Sequence, residues 1–159
     1  MTTHLTHVLA IGCGLMGGLY FAFSAFIMQS LAEVPGVGGI EAMQSINRVI
    51  VKSPFIVLFF GTTLASVALA VWGGVRWGEP GTLALMVGGV VYLVGHFVCT
   101  AAFNVPLNDA LDALDPTTPE AARVWADYLK RWTRWNHVRT VACLASCALF
   151  ISAAWSGRG

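Results

Sequence analysis

A chain of 159 residues has the length of one ordinary domain, yet 57% of it is hydrophobic and only 11% is charged, where soluble domains carry about 45–50% and about 25%. With a mean hydropathy of +0.71, so few charges cannot cover a globule in water, and the composition specifies an integral membrane protein while excluding disorder and coiled coil. Nine Lys plus Arg against eight Asp plus Glu leave a formal charge of +1, too little basic excess for a nucleic-acid interface.

Four apolar stretches predict membrane spans, at about residues 8–31, 55–75, 82–103 and 138–155. Each holds roughly 18 to 24 residues, which at about 1.5 Å per residue crosses the ~30 Å hydrocarbon layer. The first is read as retained, because it has no Lys or Arg before it and no small-residue cleavage site after it. Backbone groups in lipid must bond within their own segment, and four unbroken apolar runs achieve that as helices. The expected fold is therefore all-α: an integral membrane four-helix bundle in a single domain of residues 1–159.

Small residues favour close helix contact, and the first span offers Gly14, Gly18, Ala22 and Ala25 on one ridge, the fourth Ala145, Ala148 and Ser152. The first ridge serves either the bundle itself or a homo-oligomer. Cys13, Cys99, Cys143 and Cys147 all fall within apolar stretches and form no C-x-x-C. They read as packing residues, and no metal site is expected.

The connections differ in length. Glu79-Pro80-Gly81 closes a tight hairpin between the second and third spans. The first connection reads as an amphipathic helix over Ile40 to Lys52, ended before Pro54. The last, residues 104 to 137, holds one helical piece starting near Pro106 and another after Thr117-Thr118-Pro119-Glu120, so that both long connections carry short helices on one side. That side gathers Arg48, Lys52, Arg123, Lys130, Arg131, Arg134 and Arg139 against Arg76 and Arg158 opposite, a bias that predicts both termini outside. The expected location is a bacterial cell membrane.

Tyr92, His96, Thr100 and Asn104 follow one another at intervals of four. On an α-helix this row drifts only about 40° per step, so all four project into one sector of the bundle. A polar stripe in hydrocarbon faces protein or water, either as a site or as interhelical hydrogen bonding. Tyr20 and Ser24 in the first span, and Thr62 and Ser66 in the second, are available partners.

A denser cluster runs from Trp132 to Thr140. An aromatic belt at the membrane interface accounts for Trp132 and Trp135 but not for Asn136, His137 and Arg139 entering the bilayer together. Asn104, Asn108, Asn47 and Arg48 are expected at the same mouth. Amides, arginines, aromatics and a histidine suit a flat phenolic or keto ligand.

At these residues the chain resembles the anthrone oxygenase family of small four-span membrane proteins. The resemblance rests on Gly-Leu-Tyr-Phe-Ala-Phe-Ser at 18–24, Ala-Met-Gln-Ser-Ile-Asn-Arg at 42–48, Asn-Val-Pro-Leu-Asn at 104–108 and Trp-Thr-Arg-Trp-Asn-His-Val-Arg-Thr at 132–140. It implies oxidation of an anthrone to the anthraquinone by molecular oxygen, as in polyketide pathways, without metal or flavin. Such chemistry needs a base, an oxyanion partner and a dry pocket. His137 is the expected base, with Arg139 and Arg48 holding the oxyanion. Asn47, Asn104, Asn108 and Asn136 would orient ring oxygens and Trp132 and Trp135 would pack the rings, beside the polar row Tyr92, His96 and Thr100. The expected partners are a small hydrophobic aromatic substrate and the lipid bilayer. Competing readings are a non-catalytic protein binding a hydrophobic ligand, and a haem or quinone redox protein built on histidines.

Overall fold

The computed structural model describes the backbone of residues 2–156 and the side chains of residues 4–156. Its regular elements among the described residues are all helical. Four helices are long and apolar enough to cross a membrane, His4–Glu33, Phe55–Val75, Thr82–Asp112 and Pro119–Ser156, so the chain is a multi-pass helical membrane protein. The first span packs along the fourth, the fourth along the third and the third along the second, while the first and second meet less. Val57, Leu64, Val75 and Val141 turn outward, as a surface solvated by lipid requires.

Local chemistry sets the ends. Pro54 begins the second span, and the Phe55 N–H donates to Ser53 Oγ at 3.2 Å. The hairpin to the third span turns through Gly78 and Gly81, at φ of 93° and 83°, a left-handed region that a β-carbon disfavours. Before the fourth span, the Ala121 N–H donates to Thr118 Oγ1 at 3.2 Å. Thr117 donates its N–H and hydroxyl to Asp115, and these bonds hold that carboxyl below its usual range.

The long helices exceed the sequence expectation on one side. The fourth is continuous over 38 residues, about 57 Å, rather than starting at Val138. The third passes Phe103 and runs on to Asp112. Pro106 lacks an N–H and would break an α-helix, but here it opens the segment Val105–Asp112 directly after a π-helical turn at Thr100–Asn104. The extensions carry a second core of Phe23, Met28, Ile40, Met43, Leu111, Tyr128 and Trp132, separate from the bundle interior. The predicted amphipathic helix forms over Gly38–Ile50 and roofs this core. Gln44 Nε2 ties it down by donating to the carbonyls of Leu111 and Leu114 at 2.9 and 3.0 Å.

Two sequence expectations change. Arg139 is buried and leaves the tally of loop charges, while Arg158 lies outside the described residues. Within the bundle the Gly14–Gly18 ridge is not the closest approach, since a methyl group on Gly18 would meet nothing within 4 Å and one on Gly14 only Cys147 Sγ at 3.7 Å. Close approach occurs at Gly89, where an added Cβ would collide with the Ser66 carbonyl, and at Gly73, 2.6 Å from the Thr82 carbonyl. A backbone oxygen cannot step aside as a side chain can. Gly89→Ala is therefore expected to lower unfolding stability in detergent by about 1–3 kcal/mol, while Gly61→Ala, which faces open space, stays within about 0.5 kcal/mol. Thermal unfolding of the two variants side by side checks this.

Candidate active site

The polar row of the third span is buried at Tyr92, His96 and Asn104, each at most 1% exposed, and half-buried at Thr100. Two π-helical segments, Leu93–Val98 and Thr100–Asn104, lie within it. A π turn takes in one more residue than an α turn. A row spaced by four, which drifts forward around an α-helix, is turned back by each π segment and stays aimed at the interior. The first span has its own π segment at Phe23–Ile27, one turn beyond Tyr20.

The interior groups bond across helices. Tyr92 Oη and Thr62 Oγ1 lie 2.8 Å apart. Asn104 Nδ2 donates to the Trp132 carbonyl at 3.2 Å. Asn136 Nδ2 donates to the Tyr20 carbonyl at 2.6 Å and to Ser24 Oγ at 2.7 Å, while its Oδ1 accepts from Arg139 Nη2 at 2.7 Å. Asn136 thus clamps the first span to the fourth and orients the arginine.

Arg139 is 5% exposed. Its guanidinium lies 4.3 Å over the Tyr20 ring and 4.9 Å over the Trp132 ring, and Nη1 reaches Thr100 Oγ1 at 3.5 Å. Nε has no partner. Among the described residues the ion pairs are Arg48–Asp112, Arg76–Glu79 and Arg131–Asp127, so no carboxylate neutralises Arg139. Removing a cation from water costs several kcal/mol. Aromatic faces return about 2 kcal/mol each at best when desolvated. The residue is a buried cation whose neighbours are an amide oxygen, a hydroxyl and two aromatic faces.

It stands in the wall of a cavity of about 220 Å³. One wall is apolar and aromatic, with Phe23, Phe55, Phe59 and Phe60; the roof is Met43, Ile46 and Ile50 of the connecting helix. The polar groups are few: Arg139, Tyr20, Thr100, Asn47 and Asn108, with Trp132 beside them. Asn47 Nδ2 is buried without a partner. Asn108 Oδ1 accepts from Trp132 Nε1 at 2.9 Å and Tyr128 Oη at 2.8 Å, which fixes the amide and the indole together. The rim includes Val51, Phe60 and Val105, all exposed apolar side chains. The whole is a mostly apolar chamber with an apolar rim and a few hydrogen-bonding groups on its inner face.

Of the residues selected from sequence, Arg139, Asn47, Thr100, Asn108 and Trp132 line this chamber. His137 does not: it is exposed beside Val91, Val138 and Val141 on the outer surface. It lies two residues from Arg139, and two residues on an α-helix point nearly opposite ways. Arg48 is also outside, exposed and paired with Asp112, where it joins the connecting helix to the third span. Trp135 stacks on Phe103 at 3.7 Å and does not line the chamber. Tyr92, His96, Asn104 and Asn136 are buried behind its wall as supports. The histidines do not converge as an axial pair either, since His96 is wholly buried and His137 faces outward.

Sequence reasoning passed over the phenyl wall. Its signal was present, because Phe55 and Phe59 stand four apart on one face, but in an apolar span that spacing is indistinguishable from lipid contact.

A charge held for a ligand should be dispensable to the fold. Arg139→Met, which keeps the volume and removes the buried cation, is expected to leave the midpoint of thermal unfolding unchanged or to raise stability by about 1–2 kcal/mol. A loss of more than about 2 kcal/mol in the same measurement would make the charge structural.

Residues 54–149 match the family described as Anthrone oxygenase. Among curated proteins and among solved structures, no match is found. The matched segment takes in more than half of the chain, including Thr100, Asn108, Trp132 and Arg139 of the chamber wall. On this match, and with the four apolar helices already described, the chain belongs to the anthrone oxygenase family.

Proposed function

We propose that the protein is a membrane-embedded oxygenase that oxidises an anthrone-like polycyclic phenolic, or a related hydrophobic ketone, with molecular oxygen and without metal or flavin. Family membership supports a related oxygenase role in general. The single observation that carries the finer reading is Arg139, a cation with no counter-charge in the wall of an apolar chamber.

The chemistry follows from that charge. Loss of a proton from the methylene carbon of an anthrone leaves an electron pair that spreads onto the ketone oxygen, and the anion needs a partner in oil. Arg139 supplies it, a preorganised donor worth ~3 kcal/mol of barrier. Asn47, with its free amide N–H, and Asn108 take further ring oxygens, and Trp132 packs a ring face. The carbanion reduces molecular oxygen and bonds to it. Protonation of the peroxide, then loss of water, yields the quinone, and the dry chamber protects the anion from water meanwhile. The substrate enters from the bilayer past Val51, Phe60 and Val105. The cationic side of the bundle, with Arg48, Lys52, Arg123, Lys130, Arg131 and Arg134, faces inward in this proposal and the termini face outward.

Oxygen uptake by the purified protein in detergent, with anthrone and with a chelator present, tests the reading. Wild-type protein is expected to consume one oxygen per anthrone. Arg139→Met should lower the rate about 100-fold or more, while Arg48→Ala and His137→Ala stay within about threefold of wild type. Anthrone binding without oxygen uptake would instead identify a ligand-binding protein.

A further inference from the structure

With His137 outside the chamber, the proposed reaction lacks a base. Tyr20 is 3% exposed and lines the chamber. Its Oη lies 3.2 Å from His96 Nδ1. His96 is wholly buried, its ring 4.5 Å from the ring centres of both Phe59 and Tyr92. Its Nε2 has no hydrogen-bond partner of good geometry. His96 faces the Phe59 backbone on the second span and offers Nδ1 to a phenol standing in the chamber wall. Arg139, 4.3 Å over the same phenol ring, favours negative charge on it as its proton leaves.

We propose that Tyr20 and His96 are the proton path of this site, with Tyr20 touching the substrate and His96 receiving the proton behind it. The proposal rests on the oxygenase reading above and names the base for it. As the substrate C–H bond breaks, its electron pair stays on carbon and spreads to the ketone oxygen beside Arg139. The proton bonds to Tyr20 Oη while the Tyr20 proton passes to His96 Nδ1, giving an enolate and an imidazolium. Molecular oxygen, the co-substrate, then takes the electron pair and becomes the carbon-bound peroxide anion. The proton returns from His96 to Tyr20 as Tyr20 protonates the peroxide, and loss of water from the hydroperoxide leaves the quinone with both side chains restored.

Anaerobic washout of deuterium from methylene-labelled anthrone, read by mass spectrometry on the protein in detergent, isolates the proton step from oxygen chemistry. Wild-type protein is expected to accelerate washout. Tyr20→Phe and His96→Gln should each reduce both washout and kcat about 100-fold or more, with KM and quenching of tryptophan fluorescence by anthrone within about threefold. Washout at the wild-type rate in Tyr20→Phe overturns the proton path and leaves the oxygenase reading standing. A wild-type protein that binds anthrone yet shows neither washout nor oxygen uptake overturns the oxygenase reading, and this inference with it. Where a variant fails to fold, a proton inventory on wild-type oxygen uptake decides: two protons in motion give a curved plot, and a straight line overturns the relay.

Discussion

A guanidinium without a counter-charge, held in hydrocarbon, stands among polar and aromatic groups from three of the four spans. Arg139 is tolerated because two aromatic faces, the Asn136 amide and the Thr100 hydroxyl surround it. Each of those partners is fixed by something else. Asn136 is clamped to the first span, Trp132 is held by Asn108, and Thr100 donates its hydroxyl to the His96 carbonyl at 2.6 Å. Three of the four spans therefore meet at a single charge. A half-satisfied polar network in low dielectric is destabilising, and Arg139, whose Nε has no hydrogen-bond partner, is the centre of this one.

The same economy of polar groups explains the backbone. Three π-helical segments interrupt the first and third spans beside the site. Such turns strain the helical ladder and gather at functional positions. Here they keep Tyr20, His96, Thr100 and Asn104 on interior faces where a uniform α-helix would rotate part of the row toward lipid. Pro106 is absorbed in the same way, so the third span continues toward the roof and delivers Asn108 to the chamber.

The chamber lies where the two cores meet. Below it the bundle interior packs around Tyr92, Cys143 and Phe150, and above it the connecting helix lays Ile40 and Met43 over a core with Leu111 and Trp132. Neither core fills the junction, where residues of the first and second spans, which meet less than the other neighbouring spans, line the chamber together with the connecting helix.

Much of this protein was readable in order along the chain, because the rules involved are local. Apolar length marked the four spans, Thr117-Thr118-Pro119-Glu120 marked a helix start, Pro54 marked the end of the connecting helix, and the spacing of Tyr92, His96, Thr100 and Asn104 marked an interior face. Arg139, Asn47, Asn108 and Trp132, expected at one mouth of the bundle from residue type, topology and the resemblance, do line one chamber. What no local rule could supply was rotation about a helix axis. His137 and Arg139 are two residues apart and equally suggestive in sequence, yet packing against the first span buries one and leaves the other facing out. Arg48 does not line the chamber; it pairs with Asp112, sixty-four positions away, a contact no local rule shows. The Tyr20–His96 contact spans seventy-six positions, and only the packing of the first and third spans against the fourth brings a phenol and an imidazole together in oil.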